Sequence, residues 1–143
     1  MFTRILVAVD GSENSSRAAD AAIDLAKRSG AALFVVTVIH NPVYAYSEAG
    51  APVQQPMDKA RAEAEGFLKA AVAKAEAQGL KVRGELVENV PSVADAIASC
   101  AEEWKVDLVV VGTRGLSGLR KLLVGSVSAA LVSRAPCSVL VVR

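Results

Sequence analysis

The chain has few aromatic residues and few cysteines. Phe, Trp and Tyr together make up 4% of its 143 residues, which argues against a recognition surface built on aromatic rings and favours an aliphatic core. The two cysteines, Cys100 and Cys137, lie in different predicted elements and lack Cys-x-x-Cys spacing. This argues against a disulfide framework and against a zinc site. A reducing cytoplasm is therefore the expected setting.

A strong net charge and long apolar runs are also missing. The 16 Lys and Arg residues nearly balance the 15 Asp and Glu residues, for a net charge of +1, so no global field attracts nucleic acid or anionic lipid. The apolar run over residues 31–39 is too short to cross a bilayer. We expect a cytoplasmic protein that neither binds nucleic acid nor inserts into a membrane.

The sequence instead alternates β-branched runs with amphipathic stretches. Near-continuous apolar runs, typical of strands buried on both faces, occupy residues 5–9, 33–39, 108–111 and 138–142. Residues 81–88 alternate polar and apolar side chains and predict a half-exposed edge strand. Helices are predicted between the strands, the first from about Ser15 to Ser29 and the last from Ser126 to a point before Pro136.

This order predicts an α/β fold in a single domain over residues 1–143. Alternation of buried strands and helices gives a mostly parallel sheet with helices on both faces, a three-layer α/β/α sandwich. Ligands bind such sheets at the carboxyl ends of the strands. The stretch 41–56 carries three prolines and no helical or strand period. A loop of this length is expected to be either a functional lid or locally disordered.

A glycine pattern follows the run at residues 108–111. It reads Gly112, two residues, Gly115, nine residues, Gly125-Ser126, and a helical stretch comes next. Glycines let the backbone approach a ligand closely, and helix starts attract anions, so the pattern predicts a phosphate-binding loop. It lacks the lysine of a Walker A loop. The alternative is that these glycines only turn the chain.

Asp10 ends the first strand, which places its carboxylate at the same sheet edge as Gly112. It could bind ribose hydroxyls or a Mg²⁺ ion held by phosphates. Alternatively, it could help Ser12 and Ser15 to cap the first helix. His40 follows the second strand and is interpreted as a solvent-facing loop residue or as a neighbour of the ligand.

The chain resembles the universal stress protein family over essentially its whole length. The matching segments are Asp10-Gly11-Ser12 after the first strand, the glycine pattern ending in Gly125-Ser126, and the terminal strand that follows Pro136. The glycine pattern is the signature of the family's ATP-binding branch. The resemblance implies a Rossmann-like fold of the adenine nucleotide alpha hydrolase type, with strand order 3-2-1-4-5, and ATP and Mg²⁺ as ligands.

The resemblance also implies a set of site residues. Ala8 and Asp10 would line the adenosine site, Asp10 would be the metal-binding residue, and Val38 would offer its backbone to adenine. Ala8 stands where the family often has proline. The ribose and phosphates would be bound by Gly112, Thr113, Arg114, Gly115, Gly125, Ser126, Val127 and Ser128.

Members of the family commonly dimerise through the last strand. The apolar segment Ser138 to Val142 agrees, since it would otherwise be an exposed, aggregation-prone edge.

Three functions are compatible with these features of the sequence. The first is a nucleotide-dependent regulator of an unknown protein partner in stress response. The second is a slow Mg²⁺-dependent ATPase or nucleotidyl-transfer enzyme, and the third is a structural dimer without a ligand.

Overall fold

The computed structural model describes residues 1–40, 57–113 and 126–143. The predicted lid or disordered loop at 41–56 lies outside these residues, as do Arg114, Gly115 and Gly125. Strands and helices alternate along the chain in the order β1 (Arg4–Ala8), α1 (Glu13–Ser29), β2 (Ala32–His40), α2 (Met57–Ala77), β3 (Val82–Val90), α3 (Val93–Glu103), β4 (Leu108–Gly112), α4 (Ser126–Arg134) and β5 (Ser138–Val142).

The five strands form one sheet in the order β3-β2-β1-β4-β5, and every pair is parallel. The predicted strand order is confirmed, and the mostly parallel sheet is wholly parallel. In the central strand, Ile5 pairs with Leu33 on one side and with Leu108 on the other. The apolar runs of β1, β2 and β4 are the most deeply buried, and β3 lies at an edge as predicted.

Each face of the sheet carries its own hydrophobic core. Ile5 and Val7 of β1 pack with α1 and α2, and Leu6 packs with α3 and α4. Side chains alternate across a strand, so Ala8 and Val38 lie on the α3 and α4 side with Leu6. This is the predicted three-layer arrangement. A ligand at the carboxyl ends of the strands that contacts Ala8 and Val38 would therefore lie on the side of α3 and α4.

The first helix begins earlier than the sequence indicated. Ser12 is its N-cap, and the Ser12 hydroxyl accepts a hydrogen bond from the Ser15 backbone N–H at 3.1 Å. The helix therefore starts at Glu13 rather than at Ser15. Ser15 is buried one turn inside it. Among the described residues, no helix is both long enough and apolar enough to cross a membrane.

Candidate functional site

A cavity of about 610 Å³ opens above the carboxyl ends of β1, β2 and β4. Parallel α/β folds bind ligands at these carboxyl ends of the strands. All the predicted site residues that the structure describes line this cavity, namely Ala8, Asp10, Val38, Gly112, Thr113, Ser126, Val127 and Ser128. The structure therefore brings together residues that are more than 100 positions apart in the sequence.

The turn after β1 holds Asp10 in a network of short hydrogen bonds. The Ser12 N–H donates to Asp10 Oδ1 at 2.9 Å, and the Asp10 N–H donates to Ser15 Oγ at 3.1 Å. Ser15 Oγ donates in turn to the Ser12 carbonyl at 3.0 Å. Asp10 thus borders the cavity and also accepts a hydrogen bond from Ser12, the N-cap of α1.

Asp10 is an ionised carboxylate at neutral pH. Burial disfavours its charged form, but hydrogen bonds from Ser12 and Ser15 outweigh that effect, and the pKa of Asp10 is lowered from 3.8. A carboxylate of this kind is a weak general base near neutral pH. It is suited to binding hydroxyl groups or a cation.

Gly112 lies where β4 meets the first turn of α1. A β-carbon at this position would lie 2.6 Å from the carbonyl carbon and oxygen of Asn14 and 2.9 Å from the Ser15 nitrogen. No side chain fits at that separation. Gly112 is therefore required by the packing of α1 on β4, whether or not a ligand also approaches it.

The chain after Gly112 is anchored to neighbouring elements. The Thr113 N–H donates to the Val142 carbonyl at 2.9 Å, and Asn14 Nδ2 donates to Thr113 Oγ1 at 3.1 Å. Ser128 is buried, and its hydroxyl donates to the Gly112 carbonyl at 2.8 Å. The Ser128 hydroxyl thus ties α4 to β4.

The start of α4 gives one end of the cavity an anion-binding character. Residues Ser126, Val127 and Ser128 form the first turn of this helix and line the cavity. The first N–H groups of a helix have no partner within the helix, and the helix dipole makes this end positive. A phosphate placed here would be bound by backbone amides.

The start of α3 also borders the cavity, although the sequence patterns did not lead us to assign it to the site. Ser92 caps this helix by accepting from the Asp95 N–H at 3.2 Å, and Ser92, Val93 and Ile97 line the cavity. The capping pattern is readable in the sequence. The helix also follows the carboxyl end of a strand, and that second signal could have placed it at the site.

His40 also lines the cavity. It is exposed, in agreement with the solvent-facing interpretation, but it is the last residue of β2 rather than a loop residue. Within residues 1–40, 57–113 and 126–143, Asp10 and His40 are the ionisable side chains of the cavity wall. The described wall contains no lysine or arginine, so the helix starts are its main source of positive potential.

The described residues contain no group of three or more His, Cys, Asp or Glu side chains that could hold a metal ion. The oxygen ligands present are the Asp10 carboxylate and nearby hydroxyls. Magnesium is commonly held by one or two carboxylates together with substrate phosphates and water. This donor set fits Mg²⁺ only when a bound phosphate chain supplies further ligands.

Comparison with known proteins identifies the family. The sequence profile of the universal stress protein family matches residues 1–143. The universal stress protein YxiE of Bacillus subtilis is 38% identical, with all of both chains covered. A crystal structure of a family protein from Burkholderia pseudomallei has a TM-score of 0.79 at 31% identity, covering 98% of this chain and 95% of that one.

A second solved structure bears on the ligand. It is a universal stress protein in complex with cAMP, with a TM-score of 0.73 and 32% identity over 99% of this chain and 97% of that one. The match of the family profile to every residue, together with relatives of this identity and coverage, is sufficient for assignment. The chain belongs to the universal stress protein family.

Proposed function

We propose that the protein binds ATP in the cavity above β1, β2 and β4. The observation that carries this proposal is that the cavity wall has apolar side chains on the β2 side of β1 and a glycine with a helix start on the β4 side. Val38, Val93 and Ile97 border the first side, and Gly112 and Ser126 border the second. The volume of about 610 Å³ lies within the range of about 300–1,000 Å³ typical of small-molecule sites.

In this proposal the nucleotide lies across the end of β1. The base contacts the β2 and α3 side, where Val38 offers its backbone and Ala8 its small side chain. The phosphates lie at the start of α4, with Thr113 beside them, and the other predicted phosphate-site residues, Arg114, Gly115 and Gly125, lie outside the described residues. A related universal stress protein binds cAMP, which supports an adenine nucleotide as the class of ligand.

Asp10 takes the position between these two sides of the cavity. It accepts hydrogen bonds from ribose hydroxyls or contributes one ligand to a Mg²⁺ ion that the phosphates also hold. The ion would neutralise phosphate charge. The role of Asp10 is to orient the ribose and the metal, because its lowered pKa makes it a poor proton acceptor.

The protein is proposed to act as a regulator in stress response rather than as an efficient enzyme. A ligand that binds two conformations with different affinity shifts the population between them, and a protein partner can respond to that shift. We propose that residues 1–143 form a single domain that acts in the cytoplasm. The alternative is slow Mg²⁺-dependent hydrolysis of ATP, and a turnover assay with Asp10→Ala as control separates the two. A true hydrolase loses its rate with that substitution.

We further propose a homodimer formed through β5. This strand is an edge of the sheet, and Leu140 at its centre is 37% exposed. A parallel edge strand presents unpaired N–H and C=O groups that a second copy can satisfy.

Binding is tested by calorimetric titration of ATP with Mg²⁺ into nucleotide-free protein. Mass spectrometry of small molecules released from denatured, freshly purified protein is an independent measurement. We expect saturable binding with one nucleotide per chain. A titration without binding heat, together with no released nucleotide, would overturn the proposal.

A further inference from the structure

Phe67 of α2 packs its ring against Gly11, the residue next to Asp10. A β-carbon built at Gly11 would overlap the end of this ring, 2.6 Å from both Cε1 and Cε2. Gly11 has φ of +83°, a conformation that residues with side chains rarely adopt. The ring therefore fills space that is free only because residue 11 is glycine.

The ring is placed unusually for a large apolar side chain. Phe67 is large and apolar, yet 38% of the residue is exposed. Its neighbour Leu68 packs inward, with its side chain 3.2 Å from a β-carbon built at Gly84 of β3. Leu68 thus contributes to the core beneath α2, whereas Phe67 reaches sideways to the turn after β1.

The helix that carries Phe67 is fixed to the sheet independently of this contact. Arg61 forms a two-pronged ion pair with Glu88 of β3, with N–O distances of 2.6 and 2.8 Å. Val72 packs over Gly84 farther along the helix. With α2 held at both places, Phe67 is a fixed support against which the turn can rest.

The turn itself is short and polar. Asp10 and Ser12 flank Gly11, and the hydrogen bonds that position the Asp10 carboxylate pass through Ser12 and Ser15. Glycine in the left-handed region is conformationally permissive, so nothing in residue 11 itself prevents the turn from changing shape. The hydrogen bonds of Ser12 and Ser15 restrain the residues on either side, and packing of the Phe67 ring adds a restraint at Gly11 itself.

We propose that Phe67 is a positioning residue for the nucleotide site, which holds the turn over residues 10–12 in the conformation that keeps the Asp10 carboxylate at the cavity. This assigns a function to a side chain of α2, an element that contributes no residue to the described cavity wall. The contact of Phe67 with the turn stands on the structure alone, and its effect on ligand affinity rests on the proposed function.

The first test uses ligand-free protein. Amide exchange of Asp10 and Ser12 is measured by NMR in wild type, Phe67→Ala and Leu68→Ala, with the core amide of Val7 as a reporter of global unfolding. Leu68→Ala is the matched control, because it shortens the adjacent side chain on the same helix without touching the turn. We expect Phe67→Ala to accelerate exchange of the turn amides about tenfold relative to Val7 through local opening, and Leu68→Ala, which weakens the core, to leave the exchange rate of the turn amides unchanged.

Equal ratios in Phe67→Ala and wild type would overturn the proposal. Phe67→Met, which keeps most of the length of the side chain, should retain the wild-type ratio. If Phe67→Ala does not fold, Phe67→Tyr provides the comparison. Phe67→Tyr should raise the ratio despite being conservative, because its hydroxyl would extend from the end of the ring into the turn.

The second test is a double-mutant cycle on ATP affinity. If Phe67 acts through Asp10, Phe67→Ala weakens binding in the wild-type background and has no further effect when added to Asp10→Asn. Equal losses in both backgrounds would contradict the positioning role. Failure of the wild-type protein to bind any nucleotide would refute the proposed function instead, and the exchange measurement would still decide whether Phe67 holds the turn.

Discussion

At the residue scale, the protein carries two similar carboxylates at opposite ends of β1. Asp10 follows the strand and lines the cavity. Asp107, on the chain before β4, accepts hydrogen bonds from Thr3 N–H at 2.8 Å and from Arg4 N–H at 3.0 Å. Burial opposes ionisation of both, and hydrogen bonds lower the pKa of each from 3.8. Only Asp10 borders the cavity. Substituting each carboxylate in turn therefore distinguishes an effect on ligand binding from an effect on stability.

Asp10→Asn should weaken ATP binding by at least about tenfold, the loss of one charge-assisted contact, whereas Asp107→Asn should leave affinity unchanged. A carboxylate with a lowered folded-state pKa stabilises the fold above its unfolded-state pKa, and that contribution is lost as pH falls through the folded-state value. Both variants should therefore melt below wild type at pH 7, and the difference should shrink below pH 3.8. Equal ATP affinities in calorimetry would contradict the role given to Asp10.

Sequence reasoning located Asp10 but could not supply its surroundings. Asp10 follows an apolar strand, which is a local pattern in the sequence. Because ligands bind parallel sheets at the carboxyl ends of the strands, this pattern also predicts where Asp10 lies relative to a ligand. The contact of Phe67 with Gly11 depends on how α2 packs on the sheet, which no local pattern specifies, whereas the capping pattern at Ser92 is readable in the sequence and could have placed α3 at the site. Phe67 was accordingly missed, and for His40 a position beside the ligand was one of two interpretations.

At the element scale, α1 and β4 approach each other so closely that Gly112 is fixed by their packing. The sequence predicted this glycine as a point of close approach to a ligand. The structure shows that Gly112 also lies close to the backbone of Asn14 and Ser15. These residues belong to α1, which is far from β4 in the chain. Thus Gly112 combines a structural requirement with the proposed binding role.

Gly112→Ala should destabilise the fold by about 1–3 kcal/mol through overpacking. Gly66, in the exposed part of α2, offers the matched control, because nothing lies within 4 Å of a β-carbon built there. Gly66→Ala should stabilise the protein by about 0.5–1 kcal/mol through helix propensity. Urea denaturation measures both, and a Gly112→Ala variant as stable as wild type would show that α1 and β4 are not packed as described.

At the scale of the whole molecule, the strand order and the layers could be read from the order of runs and helices together with the family resemblance. A dimer surface was also predicted from the sequence, since the family resemblance and the apolar segment Ser138 to Val142 both indicate the last strand, and dimerisation itself stays a prediction. Placing Leu140 on an outer strand makes β5 the proposed dimer interface.

Leu140→Lys should convert the dimer to a monomer by placing a charge in the middle of this interface. Ala62→Lys adds the same charge to an exposed position on α2 and should remain dimeric. Sedimentation velocity at micromolar concentration measures both proteins beside wild type. A monomeric wild-type protein would refute the dimer, and a dimeric Leu140→Lys variant would move the interface elsewhere.

Nucleotide binding at the start of α4 is tested most directly by calorimetric titration of ATP with Mg²⁺ into wild type, Ser126→Asp and Ala129→Asp. Ser126 is the first residue of α4 and lines the cavity, whereas Ala129 is exposed and does not. An acidic residue at a helix start favours the helix, so Ser126→Asp should fold normally while repelling the phosphates. We predict tight binding by wild type and Ala129→Asp, and at least about tenfold weaker binding by Ser126→Asp, or about 1.4 kcal/mol. Equal affinities in all three proteins, or none in wild type, would contradict a nucleotide site at the start of α4.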